Sequence, residues 1–388
     1  MNRRFNFSIL AVALVALAAV AFVVGHNAGT RAAGVNGALA ALPASDFVIG
    51  IDAQRALNET LPALLASNPA ALAKVNTELE EFQRKTGINP RTFESIAIGG
   101  SFPPDKSRGN GRAVVIARGS FRADELLETA FAAAKAKEPR FQKEEQLYEG
   151  RTIFLVGQAE TPRTTVEAQK KTSTVTRQSE PAAATPPNGS GAGIGPDQDS
   201  KAPPLEVLEG DHTVRAVRAA RRDRVAVTVL DANTIAAGDL DGVRAAIDAS
   251  LGRNRVDDEL VRLASETPGA VVGFSGRVPQ NFGGKVGDSV VEKYFASIRQ
   301  FYGSLGADGM DAQARVTLRT ETAEQANDIG QALNALKTLS AVGFAGPGSK
   351  NASVGDLIKS LNVTTLNNEV QISVKIPQAI VTPVVKSL

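Results

Sequence analysis

Apolar positions along the chain follow three rhythms, and each predicts a different kind of element. The first is unbroken. From Ile9 to Val24 every side chain is apolar, Arg3 and Arg4 precede the run, and Gly25, His26, Asn27, Ala28, Gly29 and Thr30 follow it. Basic, then apolar, then small and polar is the order of a secretory leader. A spanning helix needs about 20 apolar residues and a leader core about 7–15, so the run predicts either a cleaved signal peptide or a single retained N-terminal anchor over residues 1–34. In both cases the body lies on the extracytoplasmic side, because the basic end stays inside. Asn6 stands where a twin-arginine signal prefers an apolar residue, so that signal is not assigned.

The second rhythm is helical. Asn68-Pro69 supplies a cap and a first-turn proline, Leu72, Val75, Leu79 and Phe82 share one face, and Gly87 suits the left-handed stop. Residues 123–137 repeat the pattern with Leu127, Ala130, Phe131 and Ala134 inward, and residues 240–251 form a third helix ended by Gly252. Val291, Tyr294, Phe295, Ile298, Phe301, Tyr302 and Leu305 predict a helix from Asp288 to about Leu305, with Gly306 as its stop. Thr322 and Gln325 form a capping box for a helix that buries Ile329, Leu333 and Leu336.

The third rhythm is that of strands. Short apolar or alternating runs occur at 47–51, 94–102, 112–119, 152–156, 224–230, 234–238, 270–274, 314–320, 362–366 and 370–376. Turn residues separate them: Glu149-Gly150, Asp231-Ala232-Asn233 and Asn367-Asn368. Strand, helix, strand, helix, hairpin thus occurs in this order twice. The fold predicted is α+β, two pseudo-repeated modules of mostly antiparallel sheet with helices packed on one face, behind an N-terminal hydrophobic helix.

Composition divides the chain between the copies. From Gln158 to Pro204 there is no aromatic residue, and Pro181, Pro186, Pro187, Pro203 and Pro204 punctuate Thr, Ser, Ala, Gln and Gly. Such a stretch buries too little apolar surface to offset its chain entropy. The expected organisation is a first module over 42–157, a disordered polar linker or insertion over 158–204, a bridging hairpin and helices over 205–267, and a second module over 268–388.

Ser45 to Asp52, Thr86-Gly87-Ile88-Asn89-Pro90, Gly238 to Val243 and Leu318 to Ala323 together resemble exported bacterial proteins of unknown function that carry repeated α+β modules behind a leader or anchor. The resemblance covers most of residues 42–377. It rests on strand ends and helix starts, so it implies a fold and a location and no catalytic residue.

Charge and rare residues narrow the chemistry. Lys plus Arg number 43 against 41 Asp plus Glu, a net charge of +2 that points to no nucleic-acid partner. No cysteine is present and the histidines are His26 and His212, outside the segments expected to fold, so cysteine chemistry is excluded and histidine chemistry nearly so. Gly273-Phe274-Ser275-Gly276 lacks the second glycine of a nucleophile elbow, having Arg277 there, and no histidine partner is at hand; a tight strand-to-loop turn explains it. Gly189 to Gly195 has neither the flanking strand and helix nor the closing Lys-Ser or Lys-Thr of a phosphate loop. Asp231, Asn233, Asp239 and Asp241 lack the ligand spacing of a calcium loop and read as turn and cap residues. Asp46, Asp52, Glu94 and Asp311 could meet as an acid/base pair, but a sugar site usually needs stacking aromatics and the chain has no Trp and 3 Tyr. No catalytic residue, cofactor or metal is predicted.

Two features suggest binding. Arg215, Arg218, Arg221, Arg222 and Arg224 form a basic cluster suited to an anionic lipid or envelope polymer, or to keeping a strand edge charged. Tyr294, Phe295, Ile298, Phe301 and Tyr302 form an apolar stripe, either core or a groove for a ligand or partner helix. The expected function is a non-enzymatic binding or scaffolding ectodomain of the cell envelope. It would be held at the membrane through the N-terminal helix, or be soluble in the periplasm if the leader is cleaved, with an unknown envelope protein or lipid as partner. The alternatives are a carrier of a lipid or small ligand between the modules and, third, a hydrolase with an unrecognised carboxylate site.

Overall fold

The computed structural model describes residues 32–102, 111–158, 224–279, 296–308, 311–343, 358 and 360–376. The leader run, the 158–204 linker beyond its first residue, Arg215, Arg218, Arg221, Arg222, Tyr294 and Phe295 lie outside these residues. No helix among the described residues is long and apolar enough to cross a membrane.

Helix α1 (Ala32–Ala40) leads into β1 (Phe47–Asp52), a helical run over 53–64 and α2 (Pro69–Thr86). Next come β2 (Phe93–Gly100), β3 (Ala113–Gly119), α3 (Ala123–Lys137) and the hairpin β4 (Phe141–Tyr148) and β5 (Arg151–Gln158). A second hairpin, β6 (Val225–Asp231) and β7 (Thr234–Gly238), precedes α4 (Leu240–Ser250) and α5 (Asp258–Ala264). The chain continues through β8 (Val272–Arg277), β9 (Ile298–Asp308), β10 (Asp311–Thr320), α6 (Ala323–Gly343), β11 (Asn362–Leu366) and β12 (Glu369–Ile376).

Local chemistry sets the helix ends. Asn68 Oδ1 accepts from Ala71 N at 3.1 Å, and Gly87 closes α2 at φ 73°. Asp239 Oδ1 accepts from Gly242 N at 2.7 Å at the start of α4, while its Oδ2 accepts from Ala113 N at 2.7 Å, tying the cap to β3. The capping box of α6 is reciprocal: Gln325 N donates to Thr322 Oγ1 and Thr322 N to Gln325 Oε1, both at 3.3 Å. Asn233 N donates to Asp231 Oδ1 at 3.0 Å within the β6–β7 turn.

Among the described residues twelve strands form one antiparallel sheet in the order β11-β12-β10-β9-β8-β1-β2-β3-β7-β6-β5-β4. Strands from both expected modules therefore share a ladder, joined where β1 pairs with β8.

The helices do not all lie on one face, which corrects that expectation. Along β1, β2, β3 and β6 successive side chains enter different cores. Ile51, Ile96, Ala117 and Val227 pack with Ala123, Leu127 and Ala130 of α3. Val48, Ala97, Ile116 and Ala226 pack with Leu39 of α1, Val243 and Ile247 of α4 and Leu260 of α5. Since a strand alternates faces, two cores on one set of strands mean a sheet covered on both sides there. The near-continuous apolar runs of these strands, such as Val114-Val115-Ile116-Ala117, are the sequence trace of that double burial.

A second correction concerns residues 298–308. They form β9, paired with β8 on one side and β10 on the other, where a helix was expected as far as Leu305. Ile298, Phe301, Tyr302 and Leu305 fit a helical spacing, yet Phe301, Gly303 and Leu305 also alternate with Gln300, Tyr302 and Ser304. Two glycines, Gly303 and Gly306, weaken a helix, and pairing on both flanks supplies the hydrogen bonds that decide for the strand.

Candidate functional site

The polar face of β8–β12 is built by register. Arg277 on β8 stands opposite Gln300 on β9, Gln300 opposite Arg319 on β10, and Arg319 opposite Glu369 on β12. Directly opposed residues of an antiparallel sheet point to the same side, so the four form a row across it.

The row is internally matched. Arg319 Nη1 donates to Gln300 Oε1 at 2.6 Å and its Nε to Glu369 Oε1 at 3.0 Å, while its guanidinium lies 5.6 Å from the Tyr302 ring centre. Tyr302 donates its hydroxyl to the same Glu369 oxygen at 3.1 Å. From α5, Glu259 lies 3.4 Å from Arg319 and 3.3 Å from Arg277, and Arg277 Nη2 donates to Asp257 Oδ2 at 2.7 Å.

The electrostatics follow the geometry. Burial pushes the Tyr302 hydroxyl up, and the neighbouring Glu369 charge adds to it. The hydrogen bond from Arg277 holds the Asp257 carboxyl below its ordinary value. On Arg319 desolvation opposes the charge, but the hydrogen bond and charge of Glu369 outweigh it and its pKa rises. Each cation faces an acid and each acid a donor, so the row braces β8, β9, β10 and β12 together.

Beyond this brace the same face continues as two further rows, Tyr302, Thr317, Gln371 and Thr364, then Ser304, Arg315, Ser373 and Asn362. Gly306, Gln313 and Lys375 follow. Arg315, Asn362, Thr364, Gln371 and Lys375 are exposed, and Tyr302, Gln313, Thr317 and Ser373 are half-buried. The core beneath α1, α4 and α5 lies on this side of the sheet, as Val48 opposite Ser275 shows, yet it takes no residue from β9–β12. The opposite face of β9–β12 is apolar and covered: Leu318, Val370 and Ile372 pack with Ala326 and Ile329 of α6, and Ala312 and Ile376 pack with Leu61, Leu64 and Leu72.

The expected apolar stripe does not hold together in its described part. Being neighbours on a strand, Phe301 and Tyr302 point to opposite faces; Phe301 lies 6.4 Å from Phe274, while Tyr302 joins the polar rows. Ile298 is buried with α6. Arg224, the described member of the basic cluster, pairs with Glu144 on β4.

Ser275 lies within β8, not in a turn, fully buried, with Oγ donating to Leu260 O at 2.6 Å. Three of the four carboxylates have separate local duties. Asp46 Oδ2 accepts from Phe102 N at 2.8 Å, Asp311 pairs with Lys375 at 3.2 Å, and Glu94 stands on β2. Asp52 accepts from Arg55 N at 2.9 Å, and burial pushes its carboxyl up. Among the described residues no three of His, Cys, Asp or Glu stand close enough together to hold a metal ion.

The polar rows were missed in the sequence because no local motif marks them. Arg315, Thr317 and Arg319 alternate as a solvated strand face does, but their partners on β9, β11 and β12 come from distant segments. No family model matches the chain, and no curated protein does. Solved structures of TP0453 are similar in part: crystal form III at 9% identity and form I at 7%, over 90% of this chain and 98% and 96% of those chains, each with a TM-score of 0.38. A score that low carries no argument about shared function.

Proposed function

We propose that this chain is an exported cell-envelope protein whose ectodomain binds a macromolecular partner without catalysis, through the polar face of β9–β12. One observation carries the reading: helices cover this side of the sheet as far as β9, where Gln300 and Ser304 are still buried, and beyond it the outward residues change from Val48, Ala97 and Ile116 to Thr317, Gln371, Arg315 and Asn362. An exposed, polar surface spread over several strands suits a protein or polymer better than a small apolar molecule. The leader-like run from Ile9 to Val24 supports delivery to, or anchoring at, the extracytoplasmic side of a membrane.

The strand order also supports the repeat reading. Outward from the β1–β8 pair, one arm runs β1, β2, β3, then β5, β4 after the inserted β7, β6; the other runs β8, β9, β10, β12, β11. In each arm a helix follows the third strand and an up-down hairpin ends the sheet.

The test is site-specific photocrosslinking in cells, with the photoreactive residue at Gln371, Arg315 or Thr364 on the face, or at Glu128 on α3. Adducts to an envelope component at the first three positions and not at Glu128 support the proposal. Absence of adducts on the face, or a stoichiometric lipid retained in native mass spectrometry of the full chain, overturns it in favour of the carrier.

A further inference from the structure

The two outer strands of the sheet are treated differently by the sequence. At one end, β4 carries Lys143, Glu144 and Glu145: Lys143 pairs with Glu145 at 2.9 Å and lies over the Phe131 and Phe154 rings, and Glu144 pairs with Arg224. A charged edge of this kind resists pairing with another strand. At the other end β11 reads Asn362-Val363-Thr364-Thr365-Leu366, with no charge, no Pro and no Gly. Its middle residues have high strand propensity, and Asn362, Thr364, Thr365 and Leu366 are exposed, Leu366 by 60%.

The unpaired backbone groups of β11 can be assigned. Asn367 and Asn368 make a two-residue turn, with Asn367 at φ 52°, so the flanking pair Leu366 and Glu369 is hydrogen-bonded. Alternation along the ladder then makes Thr364 with Gln371 and Asn362 with Ser373 the other hydrogen-bonded pairs. The N–H and C=O groups of Val363 and Thr365 point away from β12, and among the described residues β11 has no other strand neighbour.

We propose that β11 pairs with β11 of a second copy of this chain, antiparallel, about a two-fold axis at Thr364. Register and chemistry agree on that axis. Val363 then faces Thr365 of the other copy and exchanges both backbone hydrogen bonds with it, the reciprocal pair does the same, and Thr364 meets its own counterpart in the close, non-hydrogen-bonded position. Leu366 falls opposite Asn362. No like charges meet, because the strand has none. An isologous contact of this type closes after two copies and leaves the guarded β4 edges outermost.

The pairing joins two polar faces into one. The exposed residues of the face lie on β10, β12 and β11; three strands about 4.8 Å apart, with rows extending about 20 Å along them, give on the order of 300 Å² per copy. Two copies give about 600 Å², closer to the roughly 800 Å² that one side of a stable interface needs than one copy comes. The pairing itself stands whether or not that face binds a partner.

The absence of cysteine makes the test clean. In the full chain, Thr364→Cys places one thiol at the axis, where opposed Cα atoms lie about 4.5 Å apart, within the range a disulfide spans. The expected result is a disulfide-linked dimer in high yield under mild oxidation, and at least tenfold less from Leu147→Cys, which is exposed on the β4 edge. Thr364→Lys sets two ammonium groups against each other at an exposed position, and is expected to turn a dimer in sedimentation velocity into a monomer with unchanged circular dichroism. A wild-type chain that sediments as a monomer at all concentrations, a dimer indifferent to Thr364→Lys, or equal crosslinking of the two cysteine variants overturns the proposal.

Discussion

Gly50 and Gly273 stand directly opposite each other where β1 meets β8, and each is the floor on which a helix rests. A Cβ on Gly50 would come within 2.7 Å of Val35 and 2.9 Å of Leu39, both on α1; one on Gly273 would come within 1.7 Å of the Ala264 carbonyl oxygen at the end of α5. The missing side chains let two helices settle side by side over the strand pair that joins the arms of the sheet.

The two glycines should differ in their tolerance of alanine. Gly273→Ala meets backbone, which moves only with the whole of α5, and is expected to cost about 3 kcal/mol or more. Gly50→Ala meets side chains that can turn, and about 1–2 kcal/mol is expected. Denaturant unfolding of the two variants checks the order; equal losses would show that α5 is not held where Gly273 places it.

Ser275 is expected to matter for stability and for nothing else. Its buried hydroxyl anchors Leu260 O, so Ser275→Ala should lose about 1–2 kcal/mol. Because its hydroxyl is buried and donates to a backbone carbonyl, reaction with a fluorophosphonate probe should be absent in both proteins, and labelling of the wild type alone would refute the assignment.

Tyr302 reports on the brace. Its pKa is raised first by burial and then by Glu369, so Glu369→Gln should lower the phenol's titration midpoint while leaving it above the ordinary value. A group whose folded pKa is raised contributes stability that is present below the unfolded pKa and is lost as pH rises through the folded one. Alkaline unfolding of Glu369→Gln should therefore be less steep in that window. Absorbance titration of tyrosinate, with Tyr148→Phe and Tyr294→Phe removing the other tyrosines, makes the measurement.

Asp257 gives the complementary acid-side test. Its carboxyl is depressed chiefly by the hydrogen bond from Arg277, so its contribution is present above the unfolded pKa and is lost as pH falls through the folded pKa. Arg277→Gln should move the Asp257 midpoint up toward that of an ordinary aspartate, read by carboxyl carbon shifts in NMR. An unmoved midpoint would mean that the pair does not persist in solution.

Features set by near neighbours in the chain are legible in the sequence, and those that are not share a physical cause. The cap of α2 at Asn68, that of α4 at Asp239 and the Thr322–Gln325 box need only residues three apart, so the chain states them directly. The β11–β12 hairpin is equally local. Residues 298–308 satisfied two periodicities, and only the strands on either side chose between them. The placement of helices on both faces was hidden too, since a doubly buried strand and a buried helix segment look alike as short apolar runs.

By itself the sequence determined the α+β class, the antiparallel hairpins, the helix ends and the absence of cysteine chemistry, because each depends on residue identity or on near neighbours. Tertiary structure alone decided that both arms share one sheet, that Arg277, Gln300, Arg319 and Glu369 form a row, and that β11 is an uncharged outer edge. Those features arise from register between segments far apart in the chain, and register is set by which faces are buried and which backbone groups pair, relations that no single stretch of residues contains.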